Sequence, residues 1–140
     1  MTGYSSTSRA GLDAACHVSF IPWLPRAEFL GLMSRTDVYL DTIGFSGFNT
    51  ALQAIDCSLP IVTREGPFLR GRLASGILKR IGLCDLVAAG EAQYVELAER
   101  LASDAAYREG VRDRMRAGRH LLYADTAPIR ALEEFLAQGT

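Results

Sequence analysis

A chain of 140 residues, 49% hydrophobic and 22% charged, has the length and make-up of one globular domain that can bury most of a core. Its formal net charge of −1 removes the broad electrostatic case for a nucleic-acid or anionic-membrane partner. No apolar run approaches the roughly 18 residues of a spanning helix, and the longest, residues 18–24, is interrupted by Pro22.

Residues 1–10 are polar and small and match neither a secretory signal nor a lipidation motif. Residues 1–15 are expected to form a partly disordered N-terminal segment, and 16–140 the folded unit. A β-prone run follows at His17, Val18, Ser19, Phe20 and Ile21, stopped by Pro22. Pro25 introduces a helix over 26–35, with Phe29, Leu30, Leu32 and Met33 on one apolar side. Asp37 to Leu40 reads as a strand, 49–57 as a helix after a Gly/Ser loop, and Pro60 to Thr63 as a third strand.

A longer helix is expected next, with Leu69, Leu73 and Ile77 at i, i+4 and i+8. A brief fourth strand follows at 83–87. Tyr94, Leu97 and Leu101 then mark one helix, and Tyr107, Val111 and Met115 another. Thr126 and Pro128 read as the cap and first-turn proline of a last helix carrying Ile129, Leu132 and Leu136. Cys16, Cys57 and Cys84 are odd in number and lie beside apolar segments. They are expected as reduced core residues in a cytoplasmic protein.

Short apolar strands alternating with helices predict an α/β fold with a parallel sheet of about four strands, flanked by helices, and a helical C-terminal segment. Right-handed crossovers bring the loops after the strands to one edge, where such sheets bind ligands. Four strands make a small sheet, and an exposed edge strand offers a route to a homodimer.

The informative loop runs from Asp41 through Gly44, Phe45, Ser46, Gly47 and Phe48 to Asn49, Thr50 and Gln53. A strand ends there and a helix starts. The glycines admit close backbone approach, and the first amides of the helix, with its positive dipole end, suit a phosphate. Asn49 and Thr50 can cap the helix or donate to a phosphate oxygen, and Gln53 can hold a ribose hydroxyl. The same residues equally fit a plain strand-to-helix turn. Asp41 can serve catalysis or fix the turn.

The region from Val18 to Gly82 resembles the C-terminal lobe of GT-B glycosyltransferases, most of all the O-linked N-acetylglucosamine transferase and SPINDLY-like family. The matching landmarks are Val18-Ser19-Phe20 with Pro22, Thr36-Asp37-Val38, Leu40-Asp41-Thr42, Gly47, Thr50, Leu59-Pro60 with Val62-Thr63, Gly66, and Arg72 with Ala74. They continue as Gly82-Leu83, Tyr94, Leu97-Ala98, Leu101 and Asp104.

The resemblance implies a partial Rossmann-like lobe over 16–140 that binds the nucleotide of a UDP-sugar donor, without resident cofactor or metal, in an enzyme acting on an acceptor hydroxyl, a protein among the candidates. It carries the donor site onto Arg26, Gly47, Phe48, Asn49, Thr50 and Gln53. Phe48 stands where the family has a histidine and Gln53 where it has a carboxylate. An upstream lysine and glutamine, the N-terminal lobe and the helical repeats have no counterpart, so an isolated chain is expected to be inactive. The catalytic residues stay unassigned.

The alternative is a degenerate, non-catalytic module that serves as a protein-interaction surface. A flavodoxin-like or response-regulator domain fits less well, because no acidic cluster or phosphate loop follows the first strand. Arg26 also reads as a solvated first-turn residue. Arg64, Arg70 and Arg72 are expected to pair with local acids or cap loops. Trp23 can stack on a base or pack under its loop. His17 and His120 are expected as solvated or packing residues, and the Cys and His spacings fit no metal site.

Overall fold

The computed structural model describes residues 14–138; the expected disorder of residues 1–15 thus falls almost wholly outside the described residues. A three-stranded parallel sheet forms the centre, in the order β1 (Tyr39–Leu40), β2 (Ile61–Arg64), β3 (Val87–Ala88). Tyr39 pairs with Ile61 and Leu40 with Val62, while Thr63 pairs with Val87 and Arg64 with Ala88. Ile61, Val62 and Thr63 are fully buried, which is why β2 reads as an unbroken apolar run rather than an alternating one.

Around the sheet lie α1 (Ala14–His17), α2 (Arg26–Met33), α3 (Asn49–Asp56), α4 (Leu73–Arg80), α5 (Glu91–Ser103), α6 (Ala105–Gly118) and α7 (Ala127–Gln138). Ile55, Leu78, Leu83, Leu86, Leu101, Val111 and Met115 close the core against β2. No helix among the described residues is long and apolar enough to cross a membrane.

Both α3 and α4 end in the same way. Leu59 N donates to Ala54 O and Leu83 N to Leu78 O, each at 2.8 Å. Ser58 (φ 53°) and Gly82 (φ 76°) take the left-handed turn residue of this helix stop. Each stop drops the chain straight into the next buried segment.

Five expectations change. The run 17–21 is not a strand: His17 ends α1 and residues 18–21 are irregular and exposed. A β-prone run becomes a strand only where its amides find a neighbouring edge, and this one finds none among the described residues. The sheet therefore has three described strands rather than about four, and its last begins at Val87 after a 3₁₀ turn over Cys84–Leu86.

The helix expected from Leu69 is broken. A 3₁₀ turn at Leu69–Gly71 precedes α4 because Gly66 N bonds Gly71 O at 2.9 Å, closing the loop. The cysteines are not core residues: Cys16 and Cys84 are exposed and Cys57 is partly buried. At position 84 the inward places are taken by Leu83 and Leu86. Finally, the amide of Ala127 at the start of α7 is met by Asp125 Oδ1 at 3.0 Å, so an aspartate one residue before Thr126 serves the first turn.

Arg114 on α6 grips Asp85 with both arms of its guanidinium, Nη1 at 2.9 Å from Oδ2. That partner holds the Asp85 carboxyl below its ordinary 3.8. A lowered folded-state value contributes stability above the unfolded value and loses it as the pH falls through the folded one. The urea midpoint should therefore decline as the pH is taken below 3.8, and Asp85→Asn should flatten that decline.

Two glycines of α6 should respond oppositely to alanine. A Cβ on Gly110 would meet nothing within 4 Å, whereas one on Gly118 would lie 2.8 Å from Ile81 O and 2.9 Å from Ile81 Cβ. Gly110→Ala should stabilise by about 0.5–1 kcal/mol through helix propensity. Gly118→Ala should destabilise by about 1–3 kcal/mol through overpacking, both read from urea denaturation.

Candidate functional site

Parallel strands deliver their following loops to one edge, and the loop after β1 is organised by Asp41. This carboxylate is only 3% exposed. Its Oδ2 accepts from Ser46 Oγ and Thr63 Oγ1, both at 2.7 Å, and its Oδ1 from Gly47 N at 3.0 Å. Ser46 Oγ in turn accepts from Ala74 N at 2.8 Å, and Ser46 N donates to Arg70 O at 2.7 Å. Tyr94 Oη donates to the Asp41 carbonyl at 2.8 Å.

One side chain thus joins the loop after β1 to β2 and, through Ser46, to the start of α4; its own carbonyl ties in α5. Asp41 holds the turn rather than facing solvent. Burial, then the nearby Asp41 charge, pushes the Tyr94 phenol up, and Tyr39 rises for the same two reasons with Tyr94 adding to them.

The turn itself needs Gly44, whose φ is +91°. Gly47 leaves room for the Tyr39 phenol: a Cβ there would lie 2.9 Å from Tyr39 Oη and oblige that hydroxyl to shift. Phe48 occupies the N-cap position of α3, and no side chain caps the first turn. The capping expected of Asn49 or Thr50 is therefore absent, because both already lie inside the helix. The first amides of α3 have no side-chain cap over them.

Successive helix residues point about 100° apart, so α3 sends its expected site residues in three directions. Asn49 and Gln53, four apart, line an open cavity of about 360 Å³ with Arg26, Leu52, Asp56 and Tyr123. Thr50 faces a different space, beside Phe29, Leu32 and Tyr39. Phe48 turns toward Leu69, Leu73 and Leu121. The structure therefore gathers Arg26, Asn49 and Gln53, sets Gly47 and Thr50 beside the Tyr39 hydroxyl, and leaves Phe48 apart.

A second cavity of about 730 Å³ adjoins the first, since Arg26 and Gln53 line both. Its walls are apolar, with Phe20, Trp23, Phe29 and Leu32 among them. Trp23 is 88% exposed, so it does not pack under its loop. Arg26 makes no ion pair among the described residues. Three arginines expected to act locally do so: Arg64 pairs with Glu91 at 3.1 Å, Arg72 Nε donates to Gly66 O at 2.7 Å, and Arg70 lies over the Phe68 ring. His17 and His120 are exposed.

Two lining residues escaped the sequence reading. Asp56 follows Gln53 by three positions on the same helical face, so its periodicity was readable. Tyr123 carried no such signal. It reaches the cavity only because the chain after α6 folds back over α3, where Tyr123 Oη donates to Asp56 Oδ1 at 2.7 Å. That acceptor pushes the Tyr123 phenol up to about 12.

The profile of glycosyl transferase family 41 matches residues 5–124. A probable UDP-N-acetylglucosamine–peptide N-acetylglucosaminyltransferase SPINDLY of Petunia hybrida is 39% identical over 71 residues, 51% of this chain and 8% of that protein. Its namesake from Hordeum vulgare is 35% identical over 113 residues, 80% of this chain and 12% of the relative. Among solved structures, a mutant of Thermobaculum terrenum O-GlcNAc transferase superposes with a TM-score of 0.72 at 32% identity, covering 82% of this chain and 22% of that one. The chain thus spans about a tenth of the curated relatives' length.

The Asp41 network gives a direct stability test. Asp41→Ala would strand three donors and should cost about 3–5 kcal/mol. Asp41→Asn keeps one acceptor oxygen and should cost about 1–3 kcal/mol. Urea denaturation of both variants measures the difference, and near-equal losses would show that the complete carboxylate, rather than side-chain shape with one acceptor oxygen, holds the turn.

Proposed function

The chain belongs to glycosyl transferase family 41, and on that premise we propose that it is the donor-nucleotide-binding portion of an enzyme that transfers a sugar from a UDP-sugar to an acceptor hydroxyl. The observation that carries this reading is the convergence of Arg26, Asn49 and Gln53 on one cavity beside the uncapped start of α3. The names of the relatives, which specify UDP-N-acetylglucosamine and peptide, support that donor and a protein acceptor.

In this reading Arg26 takes the diphosphate, for which its planar fork is suited. The first amides of α3, opened to the ligand by Gly47 and flanked by Phe48 and Thr50, add oriented donors. Gln53 accepts or donates to a ribose hydroxyl, and the apolar walls around Trp23, Phe29 and Leu32 receive the base. In the transfer, the acceptor oxygen bonds the anomeric carbon as that carbon's bond to the diphosphate oxygen breaks. The charge then left on the diphosphate is stabilised by Arg26 and the amides. The acceptor's proton goes to a base outside this chain, so the isolated chain binds donor without transferring sugar.

A second reading, a degenerate interaction module, is favoured by the exposed Ile43, Phe45, Phe48, Phe68 and Leu69 on the loops of the same edge. Calorimetric titration separates the two. The donor reading expects saturable binding of UDP and of UDP-N-acetylglucosamine, weakened about tenfold by Arg26→Ala and less by Gln53→Ala. Thr50→Ala should weaken it as well if the helix start carries phosphate. Absence of UDP binding would sink the donor reading in favour of the module, and measurable transfer by the isolated chain would overturn its inactivity.

A further inference from the structure

Arg26 shares the smaller cavity with a carboxylate, Asp56, the sole one among the described residues lining either cavity around it. A guanidinium and a carboxylate facing one open space attract each other, and a pair so formed would compete with any anionic ligand. Yet Asp56 is bonded to Tyr123 at 2.7 Å and not to Arg26.

The placement of Tyr123 is built into the chain that follows α6. A 3₁₀ turn at Arg119–Leu122 seats Leu122 against the core. Arg80 of α4 then clamps the segment on both sides of Tyr123, its Nε donating to Leu121 O at 3.2 Å and its Nη2 to Asp125 Oδ2 at 2.8 Å. Ala124 is held at φ 57°, a left-handed conformation that disfavours any residue with a Cβ. That residue directly follows Tyr123.

Building on the donor reading above, we propose that Tyr123 is a positioning residue: by donating to Asp56 it keeps that carboxylate from pairing with Arg26 and leaves the guanidinium free for the diphosphate of a nucleotide. The hydrogen bond occupies Asp56 Oδ1 and fixes the carboxylate at the far end of α3, three residues beyond Gln53. The phenol, pushed up to about 12, remains a donor through the neutral range.

The test uses UDP as the probe, with affinities from calorimetry and folding checked by circular dichroism. Tyr123→Phe should bind UDP about three- to tenfold more weakly, the cost of a competing surface ion pair. Adding Asp56→Asn should return affinity to within about twofold of the unaltered chain. In an Arg26→Ala background Tyr123→Phe should have no further effect.

Unchanged affinity in Tyr123→Phe would overturn the proposal alone. So would a loss that Asp56→Asn does not rescue, since that result marks a merely structural strap. If the unaltered chain binds no UDP, the donor reading fails and this inference fails with it. Should Tyr123→Phe disturb the fold, Asp56→Asn by itself decides: equal or tighter binding supports the proposal, and weaker binding contradicts it.

Discussion

The buried carboxylate of Asp41 is the constraint on which the rest of this structure depends. Removing a carboxylate from water costs several kcal/mol unless its lone pairs are met. Here a hydroxyl from β2, a hydroxyl from the loop and a loop amide meet them. Because Ser46 passes the connection on to the first turn of α4, and Tyr94 reaches the Asp41 carbonyl from α5, loop, sheet and two helices share one set of bonds. The loop that starts α3 therefore has little freedom, although it is built from glycine, serine and exposed aromatics.

A fixed loop fixes the angle at which α3 begins, and that angle decides what its side chains can do. Asn49 and Gln53 look toward Arg26, Thr50 toward β1 and α2, and Phe48 toward α4. The family pattern treats these neighbours as one motif, but a helix distributes neighbours around its axis. Only the backbone amides at its start are common to all of them. The departures at Phe48 and Gln53 consequently carry different weight: Phe48 faces away from the cavity, while Gln53 lines it.

The C-terminal third contributes more to this region than its polarity suggests. The segment after α6 reaches back over α3 and α4, pinned by Leu122 in the core and by Arg80 at two points. α7, beyond it, carries Ile129, Leu132, Phe135 and Leu136 on its surface. Apolar periodicity alone marked α7 as a helix, yet periodicity does not say whether a face has anything to cover it.

Much of the architecture was legible in the chain. Leu97, Leu101, Val111 and Met115 recur at helical spacing and are buried as that spacing requires, and Ile61 to Thr63 form the enclosed strand that their apolar run announced. These signals are local, arising from period and burial within one element. What the chain could not announce was long-range. The run at 17–21 has strand propensity but no edge to pair with among the described residues, Leu69 has helical spacing but a closed Gly66–Gly71 loop beside it, and Cys84 sits by leucines that take the core in its place. Tyr123 and Asp56 are 67 residues apart, and no spacing rule connects them. Sequence by itself determined that helices alternate with short buried strands, and where the glycine-rich turn falls. The tertiary structure alone decided which polar groups meet, because hydrogen bonds between distant residues depend on how the elements dock and not on the order in which they occur.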